Sequence, residues 1–302
     1  MAPLQGFTDV VFRYWHSEIY GALDGYFTPF VRVEKGVPRE RDLRDCSSLL
    51  NANLGAVPQI IFKDIAEFEI LVNAVRELGF NRVDLNMGCP FVPQVRKGRG
   101  AGVPGNTELL SKVAEMVNGM PDMVFSAKMR LGVSNADEWR NIIPIINGME
   151  LCHVTMHPRT AMQQYGGDVN MDEFVRFAGE CRHKVVFNGD IVAPEQISDI
   201  VKKFPGVAGV MMGRGLIMRP SLAKEYAEGC AWDRCKRVDM LMKLHSALLN
   251  HAESNLCGEH QVLGKLLPYW EYFGREFDKK GVKRVIKANS LARYKAAVLA
   301  LE

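Results

Sequence analysis

No run of about 18 apolar residues occurs in this 302-residue chain, so no membrane-spanning helix is expected. The opening Met1-Ala2-Pro3-Leu4-Gln5 lacks a basic stretch followed by an apolar one, so no secretory leader is expected either. The seven cysteines are scattered without a paired framework, which fits a reducing cytoplasm. Cys230 and Cys235 stand close together, but no matching His or Cys pair accompanies them and no metal site is expected. The net charge is only +3, yet acidic residues are missing altogether from 279–301. Lys279, Lys280, Lys283, Arg284, Lys287, Arg293 and Lys295 collect there. Such asymmetry points to an anionic partner at the C-terminal end, with a merely solvated helix face as the plainer alternative.

What the chain does have is alternation. Short apolar runs at 25–31, 57–62, 82–85, 124–129, 151–156, 184–187 and 207–212 read as strands, mostly bounded by Gly, Pro, Asn or Asp. Helical periodicity fills 65–78, 107–118, 136–148, 171–181 and 194–204 between them. Asn106 and Asn135 suit helix caps, and Pro194 suits a first helical turn. With residues 2–4 as a first strand, the pattern predicts an α/β chain closed as a (β/α)8 TIM barrel. An open doubly wound sheet is the alternative, but its Gly-x-Gly-x-x-Gly after the first strand is missing. The strand signal ends near 229–233, so a barrel over 1–230 and a small helical domain over 231–302 are expected. Helices at 236–253, 262–277 and 282–301 would make up the latter.

In such a barrel the chemistry sits where strands end and βα loops begin. The expected strand ends offer Gln5-Gly6, Gln59, Asn86 with Cys89, Lys128 with Arg130, His157 with Arg159 and Thr160, Asn188-Gly189-Asp190, and Gly213-Arg214-Gly215. The last two sets occupy the positions where barrels commonly hold phosphate: glycines admit close backbone approach, and Arg214 supplies a charged fork. Lys128 stands in a largely apolar strand, where an ammonium needs a partner, such as an anion formed during reaction. Cys89 lies on a turn just past a strand, broken by Gly88 and Pro90. A thiol there can move a proton, attack an electrophile or fill space.

These segments resemble the tRNA-dihydrouridine synthase family. The likeness lies in Met1-Ala2-Pro3-Leu4-Gln5-Gly6-Phe7-Thr8-Asp9 with Phe12-Arg13, in Asn86-Met87-Gly88-Cys89-Pro90, and in Val95 with Lys97-Gly98-Arg99-Gly100-Ala101. It continues through Lys128-Met129-Arg130-Leu131-Gly132, His157-Pro158-Arg159-Thr160, Asn188-Gly189-Asp190 and Met212-Gly213-Arg214-Gly215. The resemblance implies an oxidoreductase that reduces a tRNA uridine to 5,6-dihydrouridine with FMN, drawing electrons from NADPH. It implies FMN contacts from Pro3, Leu4, Gln5, Gln59, Lys128, His157, Asn188, Gly189, Asp190, Gly213 and Arg214. Asn86, Arg130, Tyr165 and Arg159 would hold the flipped uracil, and Cys89 would be the general acid. The basic tail, with Lys279, Lys280, Lys283, Arg284 and Lys287, would bind tRNA, and the protein is expected to act as a monomer.

Two segments depart from the family pattern: Leu4-Gln5 at the flavin edge, and Arg99 with Gly102-Val103-Pro104-Gly105 in the loop after Cys89. That loop is expected to close over substrate. An FMN enzyme for free pyrimidines, of the dihydroorotate or dihydropyrimidine dehydrogenase kind, and a non-catalytic RNA-binding barrel are the other readings. The basic tail speaks against the first, and Cys89, Lys128 and His157 speak against the second.

Overall fold

The computed structural model describes residues 1–301. Among these residues ten strands form: β1 (Tyr26–Phe27), β2 (Val31–Glu34), β3 (Val37–Pro38), β4 (Ala56–Val57), β5 (Gln59–Ile61), β6 (Arg82–Met87), β7 (Val124–Gly132), β8 (Leu151–Thr160), β9 (Val185–Asn188) and β10 (Gly209–Met211). From β2 through β5 to β10 each strand pairs in parallel with the next, and β1 pairs in parallel with β4. Residues 1–2 close the ring, because the Ala2 N–H donates to the Met212 carbonyl at 2.8 Å and the Phe27 N–H donates to the Met1 carbonyl at 3.2 Å. The eight expected staves are therefore present as a barrel.

Four of them differ locally from the sequence pattern. The first stave is very short, since the chain turns back at Leu4, whose carbonyl accepts from both Phe7 and Thr8. The runs 25–31 and 57–62 are each split in two at Pro29 and Pro58, which have no N–H to give a ladder. The last run shortens to β10. One strand pair was not anticipated: β3 folds back antiparallel on β2 through Lys35 and Gly36, both at positive φ, as a two-residue hairpin turn requires.

The barrel helices follow the periodicity. Asp64, Asn106 and Asn170 cap the helices Ile65–Glu77, Thr107–Asn118 and Met171–Glu180, each accepting from a backbone N–H three residues on. Pro194 opens Pro194–Lys203. Asn135 does not cap a helix; its own N–H donates to Glu138, whose carboxylate also collects the Val133 and Ser134 N–H groups. The expected helix over 136–148 is two short pieces, Glu138–Asn141 and Ile143–Asn147, with Pro144 in the first turn of the second.

Beyond the barrel, Arg234–Asn255 is a long helix. The expected helix 262–277 is broken into short α and 3-10 turns from Leu267, next to Pro268. The expected helix 282–301 is two, Lys279–Ile286 and Leu291–Leu299, because Asp278 and Ser290 each cap a new start. These helices dock on the segment after the first stave. Tyr269 stacks on Phe12 with centroids 5.5 Å apart, its hydroxyl donates to the Phe7 carbonyl, and Lys265 pairs with Asp9. One continuous apolar core runs from the barrel wall through Phe12 and Tyr20 to Trp232, Tyr269, Trp270 and Tyr294.

Because the core is shared, Phe12→Ala is expected to cost about 3–5 kcal/mol of stability. Thermal unfolding followed by circular dichroism and tryptophan fluorescence should remain one transition at a lower midpoint. A helical tail that melts separately, before the barrel, would contradict the shared core.

Candidate active site

Side chains alternate between the two faces of a strand, and here the alternation sorts chemistry from packing. On β6, Val83, Leu85 and Met87 are fully buried on one face, while Asp84 and Asn86 share the other. On β7, Phe125, Ala127, Met129 and Leu131 oppose Ser126, Lys128 and Arg130. On β8, Val154 and Met156 oppose Thr155 and His157, and Arg159 follows on the polar side. The registers place Gln59, Asp84 and Ser126 side by side on adjacent strands, and Asn86 beside Lys128 beside Thr155. A barrel interior is ordinarily filled by branched apolar side chains. This one is lined with polar groups, and they open into a cavity of about 950 Å³ at the C-terminal strand ends.

Every candidate flavin, uracil and proton-donor position lines that one cavity, from Pro3, Leu4 and Gln5 through Asn188 and Gly189 to Gly213. The five tail residues Lys279, Lys280, Lys283, Arg284 and Lys287 do not. They lie exposed on and just after the helix Lys279–Ile286, and none has an ion-pair partner among the described residues. Lys295, by contrast, is paired with Glu253.

The floor of the cavity is a hydrogen-bonded relay. Ser126 donates to one oxygen of the fully buried Asp84 at 2.6 Å, and the Gln59 amide donates to the other at 2.7 Å. Asn86 donates to the Gln59 oxygen at 2.7 Å, and its own oxygen accepts the Gly88 and Cys89 N–H groups at 3.2 and 2.9 Å. Burial pushes the Asp84 carboxyl up to about 6, against the hydrogen bonds from Ser126 and Gln59 and the charge of Lys128. It is still mainly ionised at neutral pH.

Lys128 has no hydrogen-bond or ion-pair partner among the described residues, and burial brings its ammonium down to about 8. Burial, reinforced by Lys128, Arg130, Arg159 and Arg214, holds His157 far below the usual histidine range, so the imidazole is neutral. Its Nε2 lies 3.3 Å from the Arg159 guanidinium, an acceptor position that leaves the ring proton on Nδ1. Arg159 also donates to both oxygens of Asp190 and to the Gly167 carbonyl. Asp190 pairs with Arg214 as well, and it sits at φ 45°, a left-handed backbone held by these contacts. Tyr165, half exposed at the rim, lies under the Arg214 guanidinium at 4.0 Å and the Arg130 guanidinium at 5.5 Å.

Cys89 sits on the turn beyond β6. Burial pushes its thiol up, only partly opposed by the Phe91 N–H and by Arg130 and Lys128. The loop after it is packed down rather than free. Ala101 donates to the Cys89 carbonyl at 3.1 Å, and Arg99 forks onto the buried Glu67 of the helix Ile65–Glu77. Gly100, at φ 58°, lies so close that a Cβ there would meet the Cys89 Cβ at 2.8 Å.

The sequence profile of the dihydrouridine synthase (Dus) family matches residues 1–267. The chain belongs to the dihydrouridine synthase family. A probable tRNA-dihydrouridine synthase of Staphylococcus aureus (strain MRSA252) is 28% identical over 267 residues, covering 84% of this chain and 78% of that one. Probable tRNA-dihydrouridine synthase 2 of Bacillus subtilis (strain 168) is 29% identical over 256 residues, covering 81% and 76%. Among solved structures, morphinone reductase superposes with a TM-score of 0.51 at 11% identity, covering 77% of this chain and 86% of that one. The old yellow enzyme from Trypanosoma cruzi does so with a TM-score of 0.51 at 12% identity, covering 77% and 88%. At such identities the likeness speaks for the barrel fold alone.

Several cavity residues were not among the sequence candidates. Asp84 and Ser126, which lie behind the cavity lining and support it, could have been found by counting back two from Asn86 and Lys128 along their strands. Tyr272 and Arg275 of the tail, and Arg32 and Phe91 at the rim, carried no local signal, because only the fold brings them to the mouth.

The raised thiol predicts the pH course of Cys89 alkylation, read site by site by mass spectrometry. Its midpoint should lie above that of free cysteine, because burial disfavours the thiolate. A midpoint below that of free cysteine would show an activated thiolate and contradict this electrostatic picture.

Proposed function

We propose that this member of the family is a tRNA-dihydrouridine synthase. On this reading it binds FMN, takes electrons from NADPH and reduces the C5=C6 bond of a tRNA uridine. The observation that carries the proposal is the convergence of the Cys89 thiol, on a hydrogen-bonded turn, with Lys128, Arg130, His157 and Arg214 on one polar, cationic cavity.

The residues present fit a flavin mononucleotide. Lys128 is a half-buried cation on the cavity wall with no hydrogen-bond or ion-pair partner among the described residues, as expected of a group that faces an anionic ring. Gly189 is closed in by Val169, which a Cβ would meet at 2.8 Å, and Gly213 by Ala2 at 3.4 Å, so both keep the backbone bare at the loops after β9 and β10. With Arg214 they would hold the phosphate, while Gln59, His157 and Asn188 would face the ring and ribitol, and Pro3, Leu4 and Gln5 its edge. When bound and reduced, the flavin supplies the hydride that C6 of the uracil takes up.

The chain itself supplies the rest. Cys89 gives its proton to C5, and its raised thiol pKa keeps that proton available at neutral pH. Lys128 places a fixed positive charge where negative charge develops. Asn86, Arg130 and Tyr165 would hold the uracil, with the Tyr165 ring offering a stacking face at the rim. Arg159 would contribute by fixing Asp190 and, through it, Arg214. Extracting the base from its stack costs a few kcal/mol, which phosphate contacts elsewhere offset. The exposed cations Lys279, Lys280, Lys283, Arg284 and Lys287 are suited to supply those contacts, and the cytoplasm is the compartment where such a substrate and free thiols coexist.

Two experiments bear on this. Cys89→Ala should retain flavin and its reduction by NADPH, yet lose transfer to tRNA by about 100-fold or more in single-turnover assays. Undiminished transfer would remove Cys89 as the acid. Replacing the five tail cations with Glu should weaken tRNA binding and flatten its dependence on salt. Affinity and slope that stay unchanged would rule out that helix as the tRNA platform.

A further inference from the structure

The relay beneath Cys89 has a direction, and one residue sets it. Gln59 and Asn86 are amides, and an amide can present either its oxygen or its NH2 to a neighbour. A carboxylate can only accept. With Asp84 ionised at the base, Gln59 must turn its NH2 down, which leaves its oxygen facing Asn86. Asn86 must then give its NH2 to that oxygen, which leaves its own oxygen facing the turn. There it receives the Gly88 and Cys89 N–H groups, the only orientation in which those two donors are satisfied. The second oxygen of Asp84 is taken by Ser126, and no ion pair within 4 Å joins Asp84 to Lys128. Its hydrogen bonds thus all serve the relay, while its charge acts on Lys128 only at longer range.

We propose that Asp84 is a positioning residue: acting through Gln59 and Asn86, it fixes the backbone of the Cys89 turn and with it the place of the thiol. Asp84 touches neither the cavity rim nor the reacting atoms and is not itself a catalytic group. The proposal deepens the functional reading above and rests on it only for its effect on turnover. The geometric part stands alone.

The test compares Asp84→Leu with Asp84→Asn in the full chain. Asparagine can still accept from Gln59 with its oxygen while giving its NH2 to the Ser126 hydroxyl, which is free to turn round. Leucine can accept from nothing. Backbone amide exchange over the Gly88–Cys89 turn, followed by mass spectrometry, should speed up by about tenfold or more in Asp84→Leu and stay near wild type in Asp84→Asn. Single-turnover tRNA reduction should fall by a similar factor in the leucine variant at saturating tRNA and be rescued by asparagine. Should Asp84→Leu fail to fold, Gln59→Met cuts the same relay one link higher without touching a charge, and the same faster exchange is expected. Unchanged exchange in both apolar variants would overturn the proposal, and so would an asparagine variant as mobile as leucine. If the wild-type chain left tRNA untouched, the functional reading would fail, while the exchange comparison would still decide the role of Asp84.

Discussion

The constraint on which this structure depends is the burial of a polar column inside a barrel. Gln59, Asp84, Asn86, Lys128, Arg130 and His157 occupy inward positions that packing alone would give to branched apolar residues. Each buried polar group costs free energy unless it is hydrogen-bonded, and each buried charge costs more. The chain meets part of that cost internally, by the Ser126–Asp84–Gln59–Asn86 relay and the Arg159–Asp190–Arg214 clamp. Lys128 is left over. The arrangement has the character of a site whose electrostatics are organised before the ligand arrives.

The rest of the fold makes that column affordable. The alternate residues of the same strands, such as Leu85, Met129 and Met156, are fully buried against the surrounding helices. The tail adds to the same core instead of hanging from it, and Tyr272 and Arg275 reach the mouth of the cavity. Cations on Lys279–Ile286 are thereby held in fixed relation to the strand ends. Which uridine enters is a matter of how that fixed geometry meets the shape of a folded RNA.

The barrel was legible in the sequence because its signal is local: short apolar runs, breakers at their ends and caps on the helices. Where the expectation slipped, a single residue explains it. Pro29 and Pro58 interrupt ladders, Pro268 and Ser290 break helices that periodicity alone would continue, and Glu138 gathers the Val133, Ser134 and Asn135 N–H groups where Asn135 was expected to cap. The cavity positions were legible because strand ends in a barrel converge whatever the details of packing. What could not be read were pairings across long sequence separations. The Arg99–Glu67 fork that seats the Cys89 loop is one, and the docking of Tyr269 on Phe12 is another. The role of Asp84 was hidden differently, since in sequence it is one polar residue in an alternating strand and only its partners give it a direction.

On the proposed reading, this cavity receives a uridine delivered by tRNA. The most direct measurement incubates flavin-loaded protein and NADPH with unmodified tRNA transcripts and, separately, with free uridine, uracil and orotate, and then weighs the products. One or a few tRNA uridines should gain the mass of two hydrogens while the free pyrimidines remain unchanged. Reduction of a free pyrimidine with the tRNA left untouched would contradict it.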